Sequence, residues 1–93
     1  MNITYDLEKN AKNVLERNLP FDKVTNFQWD SALLKEDIRF RYPEQRFIAV
    51  GYLDDRLHVL CFSETDLGIR VISFRKANKR EQKVYEKNIT PYK

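Results

Sequence analysis

Four charged residues have the side chains that metal-free cleavage of RNA requires: Glu44, Arg46, Arg70 and Arg75. Such cleavage needs activation of a ribose 2′-hydroxyl, stabilisation of extra negative charge on a phosphorane-like transition state, and protonation of the leaving 5′-oxygen. Arginine can stabilise this negative charge through preorganised, charge-assisted hydrogen bonds. Glu44 and Arg46 are two residues apart in a predicted strand and should share a face, whereas Arg70 and Arg75 lie on and at the end of the last predicted strand. We expect the four residues to converge across a sheet.

The pair Glu44 and Arg46 also has a simpler interpretation. A glutamate and an arginine on neighbouring positions of a sheet commonly form an ordinary surface ion pair, which is worth at most about 1 kcal/mol. Spacing alone favours this simpler interpretation, so a catalytic role for the pair needs independent support.

Positive charge is concentrated at the C-terminal end of the chain. The 93 residues contain 17 Lys and Arg, 14 Asp and Glu, and a formal net charge of +3. Residues 1–68 hold nine basic against twelve acidic residues, and residues 69–93 hold eight against two, so the two balances are −3 and +6. In a helix, a basic stripe forms from Lys76, Arg80, Lys83 and Lys87. A polyanion partner and a solvated helix face both fit this pattern, and charge alone favours neither.

The single histidine and the single cysteine limit the chemistry further. His58 alternates with Arg56 and Leu60 in a predicted strand, where a structural or surface role is favoured over proton transfer. Cys61 lies in an apolar run and is expected to be a small buried side chain. One thiol excludes an intrachain disulfide and a metal site built on paired thiolates, and no glycine-rich phosphate loop is present. We expect neither a metal nor a cofactor.

Hydrophobic periodicity predicts the elements at the N-terminal end. Residues 3–5 are typical of a short strand, and Asp6 should cap an amphipathic helix over residues 7–17 that ends at Asn18. The apolar positions on one side of this helix are Leu7, Ala11, Val14 and Leu15. A further helical turn is predicted from Pro20 at its first position. Its inward side chains should be Phe21, Val24 and Phe27.

The remainder of the chain predicts strands and then a second helix. Four runs rich in β-branched and aromatic residues occupy residues 32–38, 45–53, 57–62 and 69–74. Their short connections predict antiparallel hairpins, and Gly51 indicates a bulge or a close backbone approach. Residues 76–88 are rich in good helix formers. The sequence therefore predicts a single α+β domain over residues 1–93, with an N-terminal helix, an antiparallel sheet of four or five strands, and a C-terminal helix.

Composition also predicts where the protein works. Hydrophobic residues make up 42% of the chain, with six Phe, five Tyr and one Trp, which is enough for one folded core. No stretch approaches the roughly 20 apolar residues that span a bilayer, and the N-terminus lacks the apolar core of a signal peptide. We expect a cytoplasmic protein with no membrane partner.

Three segments have the order and spacing of one family's motifs. The first contains Tyr5, Asp6, Lys9 and Asn13, with Phe21 further on, and the second contains Glu44, Arg46 and Gly51. The third reads RVISFRKANKREQKVY, and its fitting positions are Arg70, Ile72, Ser73, Arg75, Lys76, Ala77, Glu81 and Tyr85. On these motifs, which cover most of residues 5–85, the chain resembles the BrnT family of small RelE-like ribonuclease toxins.

The chain departs from that family pattern at two places. Family members usually carry a Lys-His-Gly step at the end of the first helix, where this chain has Glu16, Arg17 and Asn18. No imidazole is therefore available at that point. Tyr5 stands where tryptophan is usual, which keeps an aromatic ring.

The resemblance implies a RelE-like fold, endoribonuclease activity on RNA, and a cognate BrnA-like antitoxin with a DNA-binding domain that joins the toxin in a hetero-oligomer. The leading hypothesis is a metal-independent ribonuclease toxin, in which Arg46, Arg70 and Arg75 bind and stabilise the scissile phosphate. In it, Glu44 or Lys9 contributes to proton transfer or orients the arginines. The residues expected to track the RNA backbone are Lys76, Lys79, Arg80 and Lys83. The supporting residues are Asp6, Asn13, Glu81 and Tyr85.

The alternative is a non-catalytic module that binds nucleic acid or a protein through the same basic surface. A degenerate toxin would have this character, and the missing Lys-His-Gly step fits it. A purely structural interaction protein is the third hypothesis. An adjacent reading frame for a small acidic protein with a DNA-binding pattern would favour the toxin over both.

Overall fold

The computed structural model of the chain describes residues 1–89 and is built around one five-stranded sheet. The strands are β1 (Asn2–Tyr5), β2 (Leu33–Glu36), β3 (Phe47–Leu53), β4 (Arg56–Glu64) and β5 (Gly68–Lys76). The helices are α1 (Leu7–Arg17), α2 (Lys79–Ile89) and two short 3-10 helices at Phe21–Asn26 and Trp29–Ser31. The predicted α+β class is confirmed.

The strand order in the sheet is β1-β5-β4-β3-β2. The three hairpin pairs β2–β3, β3–β4 and β4–β5 are antiparallel, as their short connections predict. The prediction of a wholly antiparallel sheet is wrong, because β1 pairs with β5 in parallel, with Asn2 opposite Gly68 and Tyr5 opposite Val71. No hairpin joins these two strands, so connection length places no constraint on their relative direction.

Helix α1 has the predicted bounds and the predicted cap. The Asp6 side chain accepts a hydrogen bond from the Lys9 backbone N–H at 3.0 Å, and the helix ends at Asn18 in the left-handed region, with φ 53°. The apolar side of α1 is not the side that packs, since Leu7 is 77% and Leu15 is 86% exposed. The helix is held instead by hydrogen bonds from the buried side-chain amide of Asn13.

The main core lies between the 3-10 segments and one face of the sheet, here called the core face. Phe21, Val24 and Phe27 are buried, so their predicted inward orientation is confirmed. Their segment is a 3-10 helix that begins at Phe21, with Pro20 as its cap and not its first residue. The ring of Pro20 fixes φ at −65°, and with ψ at 143° the backbone is extended before the turn.

Gly51 lies where the backbone of β3 meets Phe27, the residue after the first 3-10 helix, and Ala32, the residue before β2. A Cβ at this position would stand 2.8 Å from Cζ of Phe27 and 2.9 Å from Cβ of Ala32. Of the two alternatives predicted for this glycine, the close approach is confirmed. The β-bulge of the sheet lies elsewhere, between β4 and β5.

Helix α2 packs on the opposite face of the sheet, here called the α2 face. Strand β5 continues to Lys76, and α2 begins three residues later than the prediction, at Lys79. Asn78 and Glu81 delay its start by forming a capping box, in which each side chain accepts a hydrogen bond from the other residue's backbone N–H, at 2.8 and 2.9 Å. A second, smaller core joins the helix to the sheet through Leu57, Val59, Ala77 and Tyr85.

Candidate functional site

A β-bulge in β5 places Arg70 and Arg75 on the same face of the sheet. The two are five residues apart, and strict alternation would put them on opposite faces. In the register, Phe62 pairs with Val71 and Cys61 pairs with Ser73, so Ile72 is an extra residue. This insertion reverses the parity of the strand. Arg70, opposite Ser63, and Arg75, opposite Val59, therefore both lie on the α2 face.

Arg46 lies at the same end of the sheet as Arg70, but not within a strand as predicted. Strand β3 begins at Phe47, which pairs with Phe62, so Arg46 and Ser63 are neighbours beyond that pair. The backbone carbonyl of Arg46 accepts a hydrogen bond from the N–H of Asp37 at 2.8 Å. The loop between β2 and β3, residues 37–46, is thus closed at its base.

The guanidinium of Arg46 is held by two groups of this loop. Its Nε donates a hydrogen bond to Oε1 of Glu44 at 3.0 Å, which confirms that the two residues pair. The carbon of the guanidinium lies 4.1 Å from the centre of the Tyr42 ring, in a cation–π contact. These two contacts fix the direction in which Arg46 presents its remaining N–H groups.

Hydrogen bonds to the buried side chain of Asp37 stabilise the loop. Its buried carboxylate accepts hydrogen bonds from Nε and Nη2 of Arg39 at 2.8 and 2.9 Å, and from the Tyr42 hydroxyl at 3.1 Å. The hydrogen bonds from Arg39 hold the pKa of Asp37 well below its usual range, and they raise the pKa of Arg39. Since Tyr42 also supports Arg46, a continuous set of contacts runs from Asp37 to Arg46.

Arg75 forms a two-point ion pair with α2. Its Nη1 and Nη2 each donate to a different carboxylate oxygen of Glu81, both at 2.8 Å. This pairing lowers the pKa of Glu81 to about 2 and raises the pKa of Arg75. The positive charge of Arg39 lowers the pKa of Arg75, and both side chains line one groove on this face.

The Arg75–Glu81 pair should make the protein less stable in acid. Because the folded pKa of Glu81 is about 2 against an ordinary 4.5, its contribution is fully present above about pH 4.5 and is lost as the pH falls toward 2. We expect the urea midpoint of the wild type to fall more steeply over this range than that of Glu81→Gln. Glu64→Gln, a change of an exposed glutamate, is the matched control and should keep the wild-type slope. Equal slopes for the wild type and Glu81→Gln would contradict the prediction.

Lys9 lies beside β5, at the edge of the α2 face. It lies in the first turns of α1 and lines a shallow depression together with Ile72 and Ser73 of β5. Asp6 acts locally, as the cap of α1, and its backbone hydrogen bond from Lys9 lowers its pKa. Lys9 is therefore brought beside the α2 face, and Asp6 serves to position its helix.

Several charges surround one buried thiol on the α2 face. Burial raises the pKa of Cys61, and Asp37 raises it further, whereas Arg46, Arg39 and Lys9 lower it. Cys61 lies on the central strand β4, opposite Ile48 of β3 and Ser73 of β5. Cys61 itself is buried, as its sequence context predicts.

A groove of about 450 Å³ runs between the sheet and α2. Its floor is apolar and includes Ile48, Val50 and Val59. Its charged lining residues are Lys35, Arg39, Arg75, Arg80 and Glu81. Chemically, the groove joins an apolar floor to a set of cations, a combination that suits a nucleotide or a polyanion with apolar parts.

The basic residues predicted to form one helical stripe do not all lie together. Lys76 is in β5 and pairs with His58, on the core face and opposite to Arg75, so its predicted place in the stripe is wrong. Arg80 lines the groove. Lys79 and Lys83 are exposed on the side of α2 turned away from the sheet.

Three polar residues have structural contacts. Asn13 is buried and its Nδ2 donates to the backbone carbonyls of Leu19 and Phe74 at 2.8 and 3.0 Å, which attaches α1 to the sheet. The Tyr85 hydroxyl donates to the carbonyl of Ser31 at 2.7 Å, which attaches α2. His58 is buried on the core face, where burial lowers its pKa. The structural role favoured for His58 is consistent with this position.

Sequence reasoning missed Asp37, Arg39 and Tyr42. The run over residues 32–38 places Asp37 in a predicted strand, and Arg39 and Tyr42 fall in the connection to the next predicted strand. The available signal was the alternation of arginine and aromatic residues in DIRFRYPEQR, residues 37–46. Such alternation is typical of surfaces that bind single-stranded nucleic acid.

Comparisons with known proteins agree with the motif resemblance. A family model described as ribonuclease toxin, BrnT, of type II toxin–antitoxin system matches residues 5–81. No curated protein matches the chain. Within residues 1–89, no helix is long and apolar enough to cross a membrane.

Proposed function

Because the chain belongs to the BrnT family of ribonuclease toxins of type II toxin–antitoxin systems, we propose that its α2 face binds and cleaves RNA. The observation that carries this proposal is the bulge in β5, which sets Arg70 and Arg75 on one face. Arg46 joins them from the loop at the end of that face. Three guanidinium groups around one surface are suited to a phosphate that gains negative charge in its transition state.

We propose the following division of roles. The ribose 2′-oxygen attacks phosphorus while the bond to the 5′-oxygen breaks, which leaves a 2′,3′-cyclic phosphate and a 5′-hydroxyl. Arg46, Arg70 and Arg75 stabilise the phosphorane-like transition state. Glu44 accepts the proton of the 2′-hydroxyl, and Lys9 donates a proton to the leaving oxygen. Glu81 and Tyr42 act as positioning residues, through Arg75 and Arg46 respectively.

We also propose that the reaction requires no metal and that it inhibits growth. In this proposal, residues 1–93 act as one RelE-like domain in the cytoplasm. A BrnA-like antitoxin that binds DNA neutralises the toxin in a hetero-oligomer. Membership of the family supports a toxin with an antitoxin partner and an RNA target.

The direct test uses purified protein and a labelled single-stranded RNA in the presence of EDTA. We expect cleavage with 2′,3′-cyclic phosphate ends, and no cleavage where a 2′-deoxy nucleotide stands at the cut position. Induction in cells should stop growth and degrade RNA, and co-expression of the antitoxin should restore growth. Binding of RNA without cleavage under every metal condition would instead identify a non-catalytic binding module.

RNA binding should weaken steeply with salt. Each phosphate neutralised by a lysine or arginine releases condensed counterions, with a slope of about −0.7 per contact for single strands. If Lys79 and Lys83 both contact the backbone, Lys79→Ala with Lys83→Ala should flatten the slope of log K against log salt by about 1.4.

The matched control is Lys23→Ala, which removes an exposed cation on the 3-10 helix that packs on the core face. It should keep the wild-type slope. An unchanged slope in the double variant would contradict a role for the outer side of α2 as an RNA track.

A further inference from the structure

The loop of residues 37–46 exposes an aromatic ring among arginines. Phe40 is 70% exposed and Ile38 is 80% exposed, although both side chains are large and apolar. Arg39 and Arg41 flank Phe40 in the chain, and the Arg39 side chain remains 65% exposed while it holds Asp37. A cationic loop with an exposed ring has the composition of a single-strand binding surface.

The ring of Phe40 is held by the structure of the loop. It meets the Tyr42 ring edge to face, with centroids 5.9 Å apart. Tyr42 is fixed by its hydroxyl hydrogen bond to the buried carboxylate of Asp37, and its ring carries the guanidinium of Arg46 at 4.1 Å. Phe40, Tyr42 and Arg46 therefore form one row, with Phe40 at its outer end. A ring held in this way loses little conformational freedom when a ligand stacks on it.

We infer that Phe40 is a stacking platform for an unpaired RNA base beside the phosphate that Arg46 binds. This inference rests on the proposed function and adds a second contact to the same substrate. Every base has a π-face, so stacking on Phe40 tolerates any base, whereas a fully paired duplex keeps its bases stacked and offers none. The platform therefore selects unpaired segments of RNA.

Charge favours RNA over a protein as the occupant. Arg39, Arg41 and Arg46 lie on this ten-residue loop, and the acidic groups Asp37 and Glu44 are already engaged by Arg39 and Arg46. A base can stack on the exposed surface that Phe40 keeps beside its contact with Tyr42, and the adjoining phosphates supply the negative charge. One nucleotide unit thus matches both features of the loop.

The test compares two oligonucleotides that cannot be cut by 2′-hydroxyl attack. One is a single-stranded 2′-O-methyl RNA, and the other is an abasic strand of equal length and charge. Phe40→Ala should weaken binding of the first by about five- to a hundred-fold and leave binding of the second unchanged. Arg41→Gln should weaken both, because it removes charge and not a ring. Leu15→Ala removes an apolar side chain on α1 that is even more exposed than Phe40, and it should change neither.

Phe40→Trp provides a readout that does not depend on activity. Tryptophan keeps the stacking surface, so affinity for the base-bearing strand should be retained. Its fluorescence should be quenched by that strand and not by the abasic one, with the wild type, which carries only Trp29, as the background. An unquenched Trp variant would overturn the inference.

The outcomes separate this inference from the proposed function. Wild-type protein that binds neither strand refutes RNA as the ligand and both proposals with it. Wild-type protein that binds and cleaves RNA, together with a Phe40→Ala variant of unchanged affinity, refutes only the stacking platform. A Phe40→Ala variant that keeps RNA affinity but loses capture by the antitoxin assigns the loop to the protein partner, and the inference is then wrong.

Discussion

Replacing Arg46 or Arg75 by alanine should lower RNA cleavage by about 10²- to 10³-fold, the loss typical of removing one preorganised donor to a developing oxyanion. Each change should also abolish toxicity in cells. The guanidinium groups are held before substrate arrives, Arg46 by Tyr42 and Glu44, and Arg75 by Glu81. Donors that need no reorientation during the reaction give the largest stabilisation of the transition state.

The two arginines differ in what their removal does to folding. Arg46→Ala leaves Glu44, which is exposed, in contact with water, so a near wild-type melting temperature is expected. Arg75→Ala leaves Glu81 without its ion-pair partner, although Glu81 keeps its hydrogen bond from the Asn78 backbone. Glu81→Gln weakens the same ion pair and keeps Arg75, so its melting temperature reports what the ion pair contributes to stability.

The measurement is a single-turnover cleavage rate with a melting curve for each variant. Lys23→Ala is the control for loss of a positive charge away from the α2 face. Arg46→Lys keeps the charge but loses the planar group that stacks on Tyr42, and it should recover only part of the rate. Wild-type rates in both alanine variants would place the catalytic residues elsewhere.

Local signals account for the parts of the fold that sequence predicts well. The bounds of α1 follow from the Asp6 cap and the Asn18 terminus, which act within one turn of the helix. The hairpins follow from short connections between runs of β-forming residues. Residues that interact within a few positions leave a pattern that can be recognised without knowledge of the rest of the chain.

The shared face of Arg70 and Arg75 shows the limit of such local signals. Strict alternation of side chains along the strand would put these arginines on opposite faces of the sheet. They share a face because Ile72 is an extra residue between two paired positions. The bulge depends on how β4 and β5 match across the hairpin, with both Val71 and Phe74 buried on the core face. Alternation along the strand therefore does not predict that Arg70 and Arg75 share a face, because the bulge depends on the pairing with β4.

The packing of α1 and of loop 37–46 was missed for a different reason. Leu7 and Leu15 suggest an apolar helix face, but buried Asn13 supplies hydrogen bonds to two backbone carbonyls and decides which side packs. Asp37 similarly satisfies a buried carboxylate with Arg39 and Tyr42. Hydrophobic periodicity gives no weight to polar residues that pack because all their hydrogen bonds are satisfied.

If the α2 face binds RNA as proposed, an antitoxin that neutralises the protein by covering that surface must recognise the α2 face. That surface combines an apolar groove with exposed cations on its rim and along α2. The toxin-facing segment of the antitoxin should therefore be acidic. Apolar side chains in the groove, over Ile48 and Val50, should supply most of the affinity, and the charges should supply speed and selectivity.

Lys83→Glu together with Lys87→Glu should accordingly slow capture by the antitoxin by about ten- to a hundred-fold, mainly through the association rate. Both side chains are exposed on α2, so their reversal repels an acidic partner during approach without removing a buried contact. Raising the ionic strength should slow association of the wild type far more than it hastens dissociation. Stopped-flow or surface-based kinetics measure the two rates separately.

The control is Lys12→Glu together with Lys23→Glu, which makes the same change of net charge away from α2. If approach is steered by the α2 surface and not by overall charge, this control should slow association much less. Association indifferent to salt and to the α2 reversals would refute the geometry. The geometry would also be refuted if Leu7→Ser with Leu15→Ser abolished capture by the antitoxin while the α2 charge reversals had no effect. The antitoxin would then be bound by the exposed apolar side of α1.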